Sequence, residues 1–119
     1  MVMPVKLQHD KCPIAINVIF KVDTGSPITT LTEEAIERLY SNCPRIENTR
    51  KIFYRSRIAG RLIEIYNSVK HYHNLNILGV DFMQSVDARL TVDYSKSRDG
   101  TFSLKFDVNG EVKPLENDL

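Results

Sequence analysis

A single carboxylate at the end of an apolar run constrains this chain more than any other feature. Residues 14–22 are rich in β-branched side chains, which predicts a largely buried strand, and Asp23-Thr24-Gly25-Ser26-Pro27 follows directly. A carboxylate in such a position is costly unless it is hydrogen-bonded or shares a proton with a second acid. Gly25 leaves room beside the acid, and Pro27 fixes one backbone angle of the exit. The stretch therefore predicts a rigid mount for Asp23, with the Thr24 hydroxyl turned inward.

Two segments of the chain carry a family resemblance. Val22 to Ser26 resembles the active-site signature of the aspartic proteases, an apolar residue followed by Asp-Thr-Gly-Ser or Asp-Thr-Gly-Ala. Residues 76–83, Asn-Ile-Leu-Gly-Val-Asp-Phe-Met, resemble the segment that precedes the single helix of retropepsins, the retroviral and retrotransposon-type members. In that family the two segments cross, and the glycine allows the backbones to approach closely. The resemblance covers residues 5–92.

The resemblance implies an all-β fold, a retropepsin-like acid protease barrel with one or two short helices and one lobe in each chain. A chain of 119 residues forms one domain and is too short for two such lobes. The chain has one Asp-Thr-Gly, so a second catalytic acid has to come from another copy, in a homodimer with a twofold axis through the site. We expect the domain to span residues 1–113, with a flexible tail over 114–119.

The function implied by the resemblance is that of an aspartic endopeptidase that acts on a peptide or polyprotein substrate. Two carboxylates share one proton; one activates a water while the other protonates the scissile carbonyl, without a metal or organic cofactor. The implied catalytic residues are Asp23, Thr24 and Gly25, and the implied substrate-binding residues are Ser26, Leu75 and Ile77. For Leu75 and Ile77 the alternative is a place in the core, which is the interpretation that we favour for Leu78.

Residues 45–57 occupy the place of the retropepsin flap, a glycine-rich hairpin that closes over the substrate. The chain has no glycine between Gly25 and Gly60, so any flap here is short. This leaves open a second function, a catalytically impaired domain that dimerises or binds peptides. The turn at Ala59-Gly60-Arg61 predicts a hairpin over residues 58–66.

The flap segment is also locally basic, and the aromatic residues Phe53 and Tyr54 lie among its cations. Such a pattern occurs on surfaces that bind single-stranded nucleic acid. The whole chain has 16 Lys and Arg against 15 Asp and Glu, so we favour a solvated strand pair and do not expect nucleic acid as a partner. His71 and His73 allow a metal pair, but no third ligand has a recognisable spacing, and we favour a surface loop.

Two positions in the sequence carry residues that are typical of the start of a helix. Thr32 is placed to cap a helix over residues 33–40 whose apolar face includes Leu31, Ala35, Ile36 and Leu39. Asp81 is interpreted as the cap of a helix that includes residues 82–86, and not as the second catalytic acid. In the retroviral members an ion pair joins the positions of Pro27 and Val80, so dimerisation of this chain needs another source.

The last third of the chain predicts strands over residues 88–94 and 101–108. Asn109-Gly110 is a strong hairpin signal, and residues 111–113 would return before Pro114 ends the strand. This hairpin extends beyond the retroviral proteases and is a candidate for the dimer interface.

Two cysteines, Cys12 and Cys43, are too few for a disulfide framework or a zinc site. We expect two reduced thiols, as in a cytoplasmic protein, although pairing depends on their distance in the fold. Apolar runs are short, and the N-terminus has no basic region before a long apolar stretch, so we expect no membrane span and no secretory signal.

Overall fold

A computed structural model describes residues 1–70, 74–95, 98–108 and 111–118. The strands are β1 (Val2–Leu7), β2 (Ile16–Ile19), β3 (Lys21–Val22), β4 (Thr29–Leu31), β5 (Phe53–Ile58), β6 (Arg61–Asn67), β7 (Ile77–Leu78), β8 (Arg89–Asp93), β9 (Thr101–Val108) and β10 (Glu111–Asp118). The helices in these residues are α1 (Glu33–Ser41) and α2 (Val80–Ser85), with a short 3-10 turn at Ser68–Lys70. The expectation of a mainly β chain with short helices is confirmed.

Seven strands form one nearly closed, barrel-like sheet in the order β2-β1-β5-β6-β4-β7-β3. Most neighbours are antiparallel, but β4 runs parallel to β6 and β3 runs parallel to β7. Alternate residues of the strands point into the barrel, as the two-residue period of a strand requires, and Met3, Val5 and Leu7 of β1 are all buried. The core lies inside this sheet, and the barrel-like architecture agrees with the sequence prediction.

Helix α1 follows the capping signals in the sequence. The Thr32 side chain accepts a hydrogen bond from the Ala35 backbone N–H at 3.1 Å, and two acids occupy the first turn, where the helix dipole favours negative charge. Ala35, Ile36 and Leu39 are buried on the face that the pattern predicts. The predicted helix is therefore confirmed.

Strands β5 and β6 form the hairpin that the sequence predicts at Ala59 and Gly60. Both residues have positive φ angles, 48° and 83°, as a type I′ turn requires. Strand β5 begins only at Phe53, and the described residues 42–52 contain no strand. Residues 42–52 thus form no hairpin of their own, and the rest of the predicted flap segment, residues 53–57, belongs to β5 of the β5–β6 hairpin.

The C-terminal strands form a separate sheet in the order β10-β9-β8. Its apolar side packs against α2, where the Phe106 ring contacts the Phe82 ring at a centroid distance of 5.6 Å. Strand β10 continues through Pro114 to Asp118, beyond the point where the sequence predicts that it ends. Pro114 pairs with Lys105 in this ladder. The predicted Asn109-Gly110 turn lies outside the described residues.

Cys12 and Cys43 form a disulfide with a Cα–Cα distance of 5.2 Å, and both residues are buried. The expectation of two reduced thiols is therefore wrong. The bond joins the loop between β1 and β2 to the residues that follow α1. The sequence separation of 31 residues gives no hint of this contact, which arises from the way these two connections meet in the fold.

None of the helices in the described ranges could cross a membrane, since the longest, α1, has nine residues.

Candidate active site

Asp23 lies where β3 ends, beside the end of β7. These two-residue strands run parallel, with Lys21 opposite Ile77 and Val22 opposite Leu78. The Asp23 backbone N–H continues the ladder by donating to the Leu78 carbonyl at 3.2 Å. The two sequence segments that carry the family resemblance are thus neighbours in the fold, and the second segment supports the residue that bears the acid.

The Asp23 carboxylate is only partly exposed and is held by its own turn. Its Oδ1 atom accepts a hydrogen bond from the Gly25 backbone N–H at 2.8 Å. A Cβ atom at position 25 would lie 3.1 Å from this same oxygen, which is tighter than an ordinary contact. Gly25 therefore both donates to the acid and leaves it room, as the sequence predicts.

Thr24 differs from the prediction, because its side chain is exposed and not turned inward. No hydrogen bond in the described part of the chain involves its hydroxyl group. Within one copy of the chain, Thr24 therefore contributes nothing to the mount of Asp23. Its exposure leaves the hydroxyl free for contact with another molecule.

Ser26 is fully buried, so its side chain is not accessible for the predicted contact with substrate. Its hydroxyl donates to the Ile28 carbonyl at 2.6 Å, and its own carbonyl accepts from the Val80 backbone N–H at 2.8 Å. Ser26 is consequently a positioning residue: it closes the turn after Asp23 and links that turn to the start of α2.

Gly79 is the point of closest approach between the two segments. A Cβ atom at this position would lie 2.2 Å from the Ile28 carbonyl oxygen and 2.9 Å from that of Ser26. Backbone atoms cannot move aside as the end of a flexible side chain can, so only glycine fits. The crossing that the sequence predicts at this glycine is therefore present.

The Asp81 carboxylate accepts three hydrogen bonds within the chain and is therefore not available for another contact. Its carboxylate accepts from the Thr29 hydroxyl at 2.6 Å, the Thr29 backbone N–H at 3.1 Å and the Phe82 backbone N–H at 2.7 Å. The residue at the N-cap of α2 is Gly79, so the prediction that Asp81 caps this helix is wrong in position. The sequence also missed Thr29, whose hydroxyl accepts from the Gly79 N–H at 3.0 Å.

The two predicted substrate-binding residues near β7 have different environments. Ile77 is 2 % exposed and belongs to the core, which is the alternative that the sequence left open, and Leu78 is buried as expected. Leu75 is 45 % exposed and available to a ligand. Sequence analysis missed Asn76, whose amide oxygen accepts from the Thr32 N–H at 2.8 Å and whose carbonyl accepts from the Lys21 N–H at 2.9 Å.

One of the two aromatic residues in the basic segment is not available to stack on bases. Tyr54 is buried, and its ring packs edge-on against Tyr40 at a centroid distance of 6.0 Å. Burial raises the pKa of the Tyr40 phenol above its ordinary value of 10.0, and the neighbouring Tyr54 phenol adds to the rise. Tyr54 is thus part of the packing beneath the segment and cannot stack on a base.

His71 and His73, the possible metal pair, lie outside the described residues. Among the residues that are described, no group of three or more His, Cys, Asp or Glu side chains is arranged to hold a metal ion.

Comparisons with protein-family models, with curated proteins and with solved structures gave no match for this chain.

Proposed function

We propose that the chain is a retropepsin-like aspartic endopeptidase that works as a homodimer, with Asp23 from each copy forming the catalytic pair. The observation that carries this proposal is the state of the Asp23 carboxylate. It is partly exposed at the end of a supported strand, and the Gly25 N–H at 2.8 Å orients it. An oriented, accessible carboxylate on a rigid turn is what general acid-base hydrolysis requires.

The need for a second copy follows from the other acid near this turn. Asp81 is taken up by Thr29 and the start of α2, so its oxygens are not available to activate a water. No hydrogen bond in the described residues joins Asp23 to another carboxylate. A twofold axis beside the exposed residues Thr24 and Gly25 would bring two copies of Asp23 together.

In such a dimer the two carboxylates cannot both ionise cheaply, so they share one proton. The ionised carboxylate takes a proton from the attacking water while the water oxygen bonds to the scissile carbonyl carbon. The protonated carboxylate donates its proton to the carbonyl oxygen. Collapse of the tetrahedral intermediate then breaks the C–N bond, and the carboxyl group that took the proton from the water donates it to the leaving amine. Water is the only co-reactant, and we expect activity to be highest at acidic to mildly acidic pH.

Leu75 is the residue that we assign to substrate binding, because its apolar side chain is exposed next to β7. The segment over residues 42–52 provides no strand to clamp a peptide. This observation favours a second candidate, a domain that dimerises or binds peptides without cleaving them.

The proposal is tested by a cleavage assay on a mixed peptide library over a range from acidic to neutral pH. We expect the wild type to cleave, pepstatin to inhibit and Asp23→Asn to abolish cleavage. The matched control is Asp10→Asn, which removes an exposed carboxylate from the loop between β1 and β2 and leaves activity unchanged. Sedimentation of each variant reports dimerisation separately.

Cleavage that survives in Asp23→Asn would refute the catalytic assignment. A folded dimer that cleaves nothing would instead favour the peptide-binding domain.

A further inference from the structure

A cavity of about 610 Å³ lies at the other end of β1 from the Asp23 turn. Its lining includes Leu7, at the end of β1, and Tyr54, near the start of β5. Asp23 follows β3, which comes directly after β2, and the last residue of β2, Ile19, pairs with Val2 at the beginning of β1. Leu7 is five steps along β1 from Val2, about 17 Å at the usual rise per residue. The cavity is therefore distinct from the proposed catalytic site.

The floor and the rim of this cavity differ in chemistry. Leu7, Tyr40 and Tyr54 are buried side chains that form an apolar floor. The rim carries the cationic side chains of Arg50, Lys51 and Arg55, all from exposed residues. No Asp or Glu is among the lining residues, although the chain as a whole has nearly equal numbers of acids and bases. The cavity is thus locally positive above an apolar surface.

The walls of the cavity are fixed to one another. The Cys12–Cys43 disulfide joins the two connections that border it, and the Tyr54 hydroxyl accepts from the Lys51 backbone N–H at 3.2 Å. The Gln8 N–H donates to the Arg55 carbonyl at 2.9 Å, which holds the end of β1 against β5. A site whose walls are already in place pays little ordering entropy when a ligand enters.

We propose that this cavity binds a small anionic amphiphile, a carboxylate carried on an aromatic or short acyl body. The volume is within the range of roughly 300–1,000 Å³ that is usual for small-molecule sites. The apolar body would contact the more exposed apolar lining residues, Ile46, Ile52 and Phe53, above this floor. The carboxylate would stay at the solvent-exposed rim between Lys51 and Arg55, where it gains attraction without being buried. Arg50 is committed in part to Glu33, at 3.0 Å.

The test uses three probes that separate charge from apolar body. Naphthaleneacetate has both, naphthaleneacetamide has the same body without the charge, and acetate has the charge alone. In titrations followed by amide NMR spectra, we expect saturable binding of naphthaleneacetate with shifts confined to residues 7–9 and 40–55. The amide should bind about fivefold more weakly, as expected for the loss of two exposed ion pairs. Acetate should show no saturation.

Two double variants with the same change in net charge complete the test. Lys51→Gln with Arg55→Gln should weaken naphthaleneacetate about fivefold and leave the amide unchanged. Arg38→Gln with Lys105→Gln removes two exposed cations that do not line the cavity, and should leave both affinities unchanged. All four side chains are exposed, so the fold is retained in both variants.

Three results would overturn the proposal: equal affinity for the acid and the amide, equal weakening by both double variants, or shifts centred outside the cavity. Because no readout involves cleavage, the outcome does not depend on the assignment of Asp23.

Discussion

The turn that carries Asp23 and the segment over residues 42–52 are held in different ways. Hydrogen bonds join the turn and the strand after it to residues far along the chain: the Val80 N–H donates to the Ser26 carbonyl, and the Thr29 hydroxyl donates to the Asp81 carboxylate. In residues 42–52 the backbone hydrogen bonds are local, such as those from Cys43 to Tyr40 and from Ile46 to Cys43. The disulfide at Cys43 links this segment covalently to a distant part of the chain, the loop that contains Cys12.

The proposed chemistry requires a firmly held Asp23 turn, but it does not require a particular structure in residues 42–52. A catalytic carboxylate has to be held in one place, and several independent contacts fix the backbone around Asp23. A clamp for the substrate can be supplied by another part of the molecule or by a second copy. The segment over residues 42–52 is thus free to serve another purpose, and it lines the cavity that we assign to an anionic ligand.

The largest effect should come from breaking the crossing at the Asp23 turn with Gly79→Ala. The new Cβ atom would lie 2.2 Å from the Ile28 carbonyl oxygen, so one backbone has to move. We expect the free energy of unfolding to fall by about 4 kcal/mol or more, measured by urea denaturation. The control is Gly60→Asn, at a position where a Cβ atom meets nothing within 4 Å and where asparagine tolerates the positive φ. Equal stability of the two variants would show that the crossing does not hold the turn.

A smaller effect should follow from removing the disulfide in the double variant Cys12→Ala, Cys43→Ala. The bond closes a loop with a sequence separation of 31 residues, and its loss should cost about 3–4 kcal/mol through the greater freedom of the unfolded chain. Hydrogen exchange should become faster by a larger factor in residues 42–52, where the bond also restrains local opening, than at Asp23 and Ser26. Faster exchange at the Asp23 turn alone would contradict the independence of the two regions. Wild-type protein under reducing conditions is the matched comparison.

The smallest effect concerns Tyr40, which packs below the segment. Its pKa is raised by burial and by Tyr54, so at pH above the ordinary value of 10.0 the unfolded chain loses this proton before the folded one does. The contribution of the protonated Tyr40 phenol to the free energy of unfolding is complete below that pH and is lost as the pH rises through the pKa of the folded state. Tyr40→Phe should therefore flatten the alkaline fall in stability, measured by urea denaturation at several pH values.

The control for this variant is Tyr94→Phe, because Tyr94 is 67 % exposed. If the free energy of unfolding falls equally with alkaline pH in the wild type and in Tyr40→Phe, burial of this phenol does not contribute to that fall.

The features that sequence reasoning predicted are those set by local chemistry. Thr32 and its acids define the start of α1, Ala59 and Gly60 define a turn, and Gly79 marks a close approach of two backbones. The Asp-Thr-Gly stretch placed the acid at the end of a strand. These signals depend on single residues and their neighbours, so a sequence is enough to read them.

The features that it missed depend on distant contacts. Ser26 is held in the interior by the distant Val80 N–H, which donates to the Ser26 carbonyl. The partnership of Thr29 with Asp81 and the pairing of Cys12 with Cys43 join residues with no common sequence pattern. The apolar residues of 42–52 follow neither the 3.6-residue period of a helix nor the two-residue period of a strand, so the sequence could not assign this segment a conformation.

The order in which the chain is made gives the parallel pairing of β3 with β7 a further meaning. Asp23 leaves the ribosome early, but the residues that support its turn, 76–81, emerge much later. Contacts of such long sequence separation form late in folding, because the intervening loop has to be closed first. A nascent chain that has not reached residue 79 carries the complete Asp-Thr-Gly stretch without its mount. Synthesis of the acid and assembly of its mount are consequently separate events, and a growing chain lacks that mount until most of the barrel exists.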